Sequence, residues 1–156
     1  MGWKKYNGLP IQSSLEATVD ETLASEIGKG HQMKICIGTD SQVKNQVTEF
    51  ATVIVFIRKK RGGFMLVNKF KEVRQMGLKE RMILEVSKSV ETAYSLRSVV
   101  DKYQVELEIH ADINTDPNFP SFQALKEAMG YILGMGYTFK AKPHAFASSQ
   151  CADKLV

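Results

Sequence analysis

Two aspartates, Asp40 and Asp112, are the residues of this chain best placed to do chemistry. Residues 33–40 put Ile35 and Ile37 two apart, and Val105, Leu107, Ile109 and Ala111 alternate with Glu106, Glu108, His110 and Asp112. Both patterns have the period of a β-strand. Each aspartate is then expected at the carboxyl end of its strand, where ligand sites of open α/β sheets collect. If the two strands are parallel neighbours, their backbones lie about 4.8 Å apart, and the carboxylates nearly touch. Like charges that close resist joint ionisation unless a cation lies between them. Hard divalent ions such as Mg²⁺ prefer oxygen ligands, often a few carboxylates plus water and substrate phosphate. The plainer alternative is that each Asp ends a strand because Asp favours turns. A topology that brings both ends together weighs toward a metal site.

The elements that must position these acids follow from pattern. Residues 1–12 read as an arm with a turn at Asn7-Gly8 and a break at Pro10. Ser13 and Glu16 have capping-box spacing, and Leu15, Val19, Leu23 and Ile27 form one stripe of a helix that stops near Gly28 and Gly30. Strands are expected at 33–40, 47–58 and 64–73, the last two joined by Lys59-Lys60-Arg61-Gly62-Gly63, as an antiparallel meander. A long helix over 78–103 carries Met82, Val86, Val90, Ala93, Leu96 and Val100 on its apolar face. The strand ending at Asp112 follows, then a loop with Asp116-Pro117 and Phe119-Pro120. Ser121 would cap a helix ending near Gly134 or Gly136. A fifth strand spans 137–142, and a final helix begins near Cys151. Strands separated by helices imply parallel pairing with right-handed crossovers. The expected fold is α/β, a mixed five-stranded sheet, three strands antiparallel and then two parallel, flanked by helices.

A glycine and a small residue before an aspartate, two more strands, a helix, and a strand ending in aspartate together resemble the ribonuclease H-like superfamily. Ile37-Gly38-Thr39-Asp40-Ser41-Gln42 and His110-Ala111-Asp112-Ile113-Asn114 resemble its YkuK-type family, a bacterial group of predicted ribonuclease H-like proteins. The resemblance covers residues 31–156, with 1–30 as an arm and helix outside it. It implies a glutamate early in the helix after strand three, where Glu80, Glu85 and Glu91 compete. At about 100° per residue, Glu85 lies a quarter turn from the apolar stripe, at the rim from which a side chain reaches over the sheet. Glu85 is therefore preferred and Glu80 is second. The resemblance also implies a last aspartate on the C-terminal helix. Asp153 in Cys151-Ala152-Asp153-Lys154-Leu155 matches it, against the alternative of a helix cap. His144, nine residues earlier, matches a loop histidine thought to assist the attacking water or product release. His110 shares Asp112's strand face and could hydrogen-bond a metal-holding carboxylate, or be merely a partly buried polar residue nearby. Asp116 is a further acid at the same mouth.

With these residues in place the resemblance implies phosphodiester hydrolysis with two Mg²⁺ or Mn²⁺ ions. Asp40 would bridge the metals, Glu85 and Asp112 would share one, and Asp153 would hold the other. The net charge of +4 permits a polyanionic partner without demonstrating one. Arg58, Lys59, Lys60 and Arg61 at a hairpin tip, with Lys140 and Lys142, could meet phosphates or simply be solvated edge charges. A catalytically weak nucleic-acid or protein binding module and a small-ester phosphatase are the alternatives, since this fold hosts many functions. No GxxxxGK[ST] loop is present, which counts against a P-loop nucleotide hydrolase. Apolar runs end at strand length, as in 51–57, far short of the ~18 residues of a membrane span. No secretory signal is expected, because no apolar stretch follows Lys4-Lys5. Two cysteines suit a reduced, cytoplasmic protein.

Overall fold

A computed structural model describes residues 2–112, 118, 122–142 and 144–156. The expected turns at Asp116-Pro117 and Phe119-Pro120, the Ser121 cap and Pro143 lie outside the described residues. The elements are β1 (Lys4–Lys5), α1 (Leu15–Gly28), β2 (Met33–Lys44), β3 (Val47–Arg58), β4 (Gly63–Glu72), α2 (Leu78–Ser95), α3 (Arg97–Tyr103), β5 (Glu106–Ala111), α4 (Phe122–Gly134) and β6 (Thr138–Lys140). A π-helical turn, Ala147–Ala152, and a 3-10 turn, Asp153–Leu155, close the chain.

The sheet runs in the order β1-β4-β3-β2-β5-β6. Strands β2, β3 and β4 pair antiparallel, whereas β5 pairs parallel with both β2 and β6. Alternation along β2 divides the molecule into two layers. Ile35 and Ile37 join Val19 and Leu23 of α1 and Val86, Val90 and Ala93 of α2 in the larger core. Cys36 points the other way, into a smaller core of Val53, Val55, Val67, Ala147 and Ala152. The sheet is thus covered by helices on one side and by the short C-terminal segment on the other.

Four sequence expectations change. The sheet has six strands, because Lys4 and Lys5 pair with Val67 and Leu66 and turn the expected arm into an edge ribbon. Strand β2 does not end at Asp40. It continues to Lys44, where Asn45 and Gln46, both with positive φ, make the two-residue turn that matches strand twist. The α1 cap is Ser14, whose hydroxyl accepts from Ala17 N at 3.2 Å, and not Ser13. The long helix over 78–103 breaks at Leu96, with φ −101° and ψ 2°. There the Ser95 hydroxyl donates to the Thr92 carbonyl at 2.7 Å, offering the backbone a non-helical bond.

Candidate metal centre

The parallel ladder between β2 and β5 ends with Thr39 opposite Ala111. Asp40 and Asp112, the next residue on each chain, therefore stand level at the mouth of the ladder. Asp40 is 7% exposed. Asp112 is held from two sides: its Oδ1 accepts from Ser149 Oγ at 3.0 Å and pairs with Lys142 Nζ at 2.9 Å.

Glu85 arrives from the other layer by a register match. Thr39 and Ser41 lie on the α2 side of β2, and Thr39 Oγ1 bonds Ser89 Oγ at 2.7 Å and Thr52 Oγ1 at 2.9 Å. Four residues of helix rise about 6 Å and two residues of strand about 6.6 Å. With Ser89 fixed on Thr39, Glu85 is set down on Ser41, whose hydroxyl donates to Glu85 Oε2 at 2.5 Å. Arg81, one turn earlier, donates to Ser41 Oγ at 3.2 Å and to Ser41 O at 3.0 Å. Of the glutamates weighed from sequence, Glu85 is buried beside Asp40, whereas Glu80 is exposed and pairs with Arg74 at 3.0 Å. Glu91 is exposed beside Lys88. Asp153 is solvent-exposed, but its carboxyl lies within hydrogen-bonding reach of Asp40.

Crowding perturbs both buried acids. Burial and the hydrogen bond with Asp153 push Asp40 up to about 7, against a lowering bond from the Ser41 amide. Burial pushes Glu85 up to about 8, opposed by Ser41 and Arg81 and reinforced by the charges of Asp40 and Asp112. Two buried carboxyls that resist ionisation, beside two more that offer only hard oxygen donors, fit a divalent cation of the Mg²⁺ or Mn²⁺ kind.

His110 does not reach these acids and is not partly buried. It is 2% exposed, packs edge-on to Phe146, and accepts the Ala147 amide at Nδ1 (3.1 Å). Its Nε2 must then carry the proton and donates to Glu108 Oε1 at 3.0 Å. Burial lowers the His110 pKa, so the ring is neutral. Glu108 also holds Lys34 Nζ at 3.3 Å and faces the Cys36 thiol, which burial pushes up to about 12. Cys36, Glu108 and His110 are all metal-ligating residue types and lie close together, yet their donors and acceptors match one another. We read them as the anchor of the C-terminal segment. His110→Ala orphans the Ala147 amide and one face of Glu108, so urea denaturation is expected to show a loss of about 1–3 kcal/mol. An unchanged midpoint would refute this anchoring role.

His144 is exposed, and its amide donates to Ala141 O at 2.7 Å. Among the described residues, no hydrogen bond or ion pair joins its ring to the four acids. Register also separates the basic residues. Arg58 pairs with Met33, seven strand residues from Asp40, or roughly 23 Å at 3.3 Å per residue. The hairpin tip 58–61 therefore lies at the far end of the sheet from the acids. Arg58 is moreover occupied by Glu26, at 2.7 and 3.0 Å, and lies over the Phe64 ring. Of the basic residues weighed from sequence, Lys142 meets the acids directly, through Asp112. Sequence reasoning missed Ser41, Arg81 and Ser149. The one legible signal was Thr39-x-Ser41 on a strand matched to Glu85-x-x-x-Ser89 on a helix.

An α/β domain whose mixed sheet gathers acids from two neighbouring parallel strands, a crossing helix and a C-terminal turn is thereby defined. The family model described as Ribonuclease H-like matches residues 18–156, and the chain belongs to that family. No curated protein matches the sequence. Among solved structures, it is similar to RNase H1 from the halophilic archaeon Halobacterium salinarum NRC-1, with 16% identity and a TM-score of 0.44, over 78% of this chain and 93% of that one.

Proposed function

We propose that this protein is a Mg²⁺- or Mn²⁺-dependent nuclease of the YkuK type that hydrolyses phosphodiester bonds of nucleic acid. The observation that carries the reading is the convergence of Asp40, Glu85, Asp112 and Asp153 from four separate elements, with the pKa of both buried members raised. These four residues would hold the ions. Bound there, divalent cations supply charge neutralisation at the phosphodiester and a lowered pKa for the attacking water. The chain's own residues do the positioning: Ser41 and Arg81 orient the Glu85 carboxylate, and Ser149 fixes Asp112. His144, exposed in the loop before the C-terminal segment, is the candidate proton carrier of the reaction. The thiols of Cys36 and Cys151 are free, which suits a reducing cytoplasm. No helix among the described residues is long and apolar enough to cross a membrane.

One observation favours a second reading, a binding module with little turnover. The acids are already neutralised in part by the hydrogen bond between Asp40 and Asp153 and by Lys142 on Asp112. The test is incubation with single-stranded RNA, single-stranded DNA, duplex DNA and an RNA–DNA hybrid in Mg²⁺ or Mn²⁺. Cleavage of at least one is expected, falling by about 100-fold or more in Asp40→Asn. Salt-sensitive binding with no cleavage above that variant would establish the binding module instead.

A further inference from the structure

We propose that Lys142 is an internal stand-in for the metal: it neutralises Asp112 in the free protein, yields that carboxylate to a divalent ion, and then serves the phosphate of bound nucleic acid. This rests on the reading of the four acids as a metal centre.

The argument begins with register. Lys140 pairs with His110 in the parallel ladder, so Lys142, two residues on, comes level with Asp112 on the same face. Its Nζ lies 2.9 Å from Asp112 Oδ1, the same oxygen that accepts Ser149 Oγ at 3.0 Å. A carboxylate oxygen has two lone-pair sites. With an ammonium and a hydroxyl on Oδ1 that oxygen is filled, and a cation on the neighbouring Oδ2 would stand a few ångströms from the ammonium and repel it, so one donor must leave. Ser149 belongs to the C-terminal segment packed on the sheet, whereas the Lys142 side chain is 46% exposed. The lysine is thus the donor that moves. Its long stem lets the ammonium swing away at small cost, because exposed pairs hold weakly. Once displaced, its positive charge stays at the mouth, where a ligand bridging metal and protein would present a phosphate oxygen.

The exchange predicts opposite effects of one substitution. In Lys142→Met the metal no longer competes with an ammonium and no longer feels its repulsion. Mn²⁺ titration followed by electron paramagnetic resonance should show about three- to tenfold tighter binding than wild type. With Ca²⁺ in place of Mg²⁺ filling the centre, the same variant should bind a fluorescein-labelled RNA–DNA hybrid oligonucleotide more weakly, with its log–log salt slope reduced by about one, whereas in EDTA, where Asp112 holds the lysine, the slopes should match. Lys142→Arg should restore the slope. A purely structural lysine would move both affinities the same way or neither. Mn²⁺ affinity that is equal or weaker in Lys142→Met, with wild type binding the ion, overturns the inference and leaves the metal centre standing. Failure of wild type and variant alike to bind Mn²⁺ overturns the metal centre, and this inference with it.

Discussion

Asp40→Asn is expected to make the metal-free protein more stable than wild type at pH 8, and to abolish the rise in melting temperature that Mg²⁺ or Mn²⁺ gives the wild type. The folded pKa of Asp40 is raised from 3.8 to about 7, and that of Glu85 from 4.5 to about 8. A raised carboxyl binds more protons folded than unfolded. Its stabilising contribution is complete below the unfolded value near 4 and is lost as pH climbs through 7 and 8. Each tenfold change in proton affinity is worth about 1.4 kcal/mol, so the roughly thousandfold change at Asp40 sets an upper bound near 4 kcal/mol. The wild-type melting temperature without metal should therefore fall by several degrees between pH 5 and pH 8.5. Asparagine at 40 removes that charge, still donates to Asp153, and flattens the profile. Divalent metal should restore wild-type stability at pH 8 far more than at pH 5. Differential scanning fluorimetry across pH, with EDTA and with metal, reads all of this. A metal-free wild-type profile that rises with pH would contradict the assignment.

The second large effect is expected at Gly38, two residues from Asp40 on the same face of β2. A Cβ added there would meet Ser148 N at 2.5 Å, Ala147 C at 2.6 Å and Ala147 Cβ at 2.9 Å. Two of these neighbours are backbone, so no rotamer change relieves the clash. Gly38→Ala must push the C-terminal segment off the sheet, or strain both, at about 1–3 kcal/mol or more. The segment carries Ser149 and Asp153, so the damage should reach the acids. Hydrogen exchange over 146–156 is expected to accelerate, and Mn²⁺ affinity to fall by tenfold or more. Wild-type protection of that segment in a folded Gly38→Ala protein would show that the close approach is not obligatory.

Asp40 and Asp112 could be placed together from sequence because alternation identified their strands and the crossover rule made those strands parallel. Glu85 was legible because helical angle separates it from Glu80 and Glu91. The Ribonuclease H-like family was legible from the order of short motifs rather than from any one of them. What stayed hidden depends on three-dimensional register. The extension of β2 past Asp40 depends on a tight turn at Asn45-Gln46, which has no glycine to announce it. The role of Gly38 depends on a segment more than a hundred residues away in the chain. His110 looked like a neighbour of the acids because it shares their strand face. Its ring instead satisfies an amide and a glutamate beneath them. The basic hairpin tip looked suited to phosphates until strand pairing put it at the other end of the sheet.

One strand supplies four consecutive contacts that belong alternately to the two layers. Gly38 and Asp40 meet the C-terminal segment, while Thr39 and Ser41 meet α2. Both coverings are therefore indexed against a single ruler. A slip of one residue in β2 would exchange all four at once, turning hydroxyls toward Asp153 and the acid toward the helix. The two halves of the pocket cannot drift apart by small degrees. They hold a common alignment, or they lose it together.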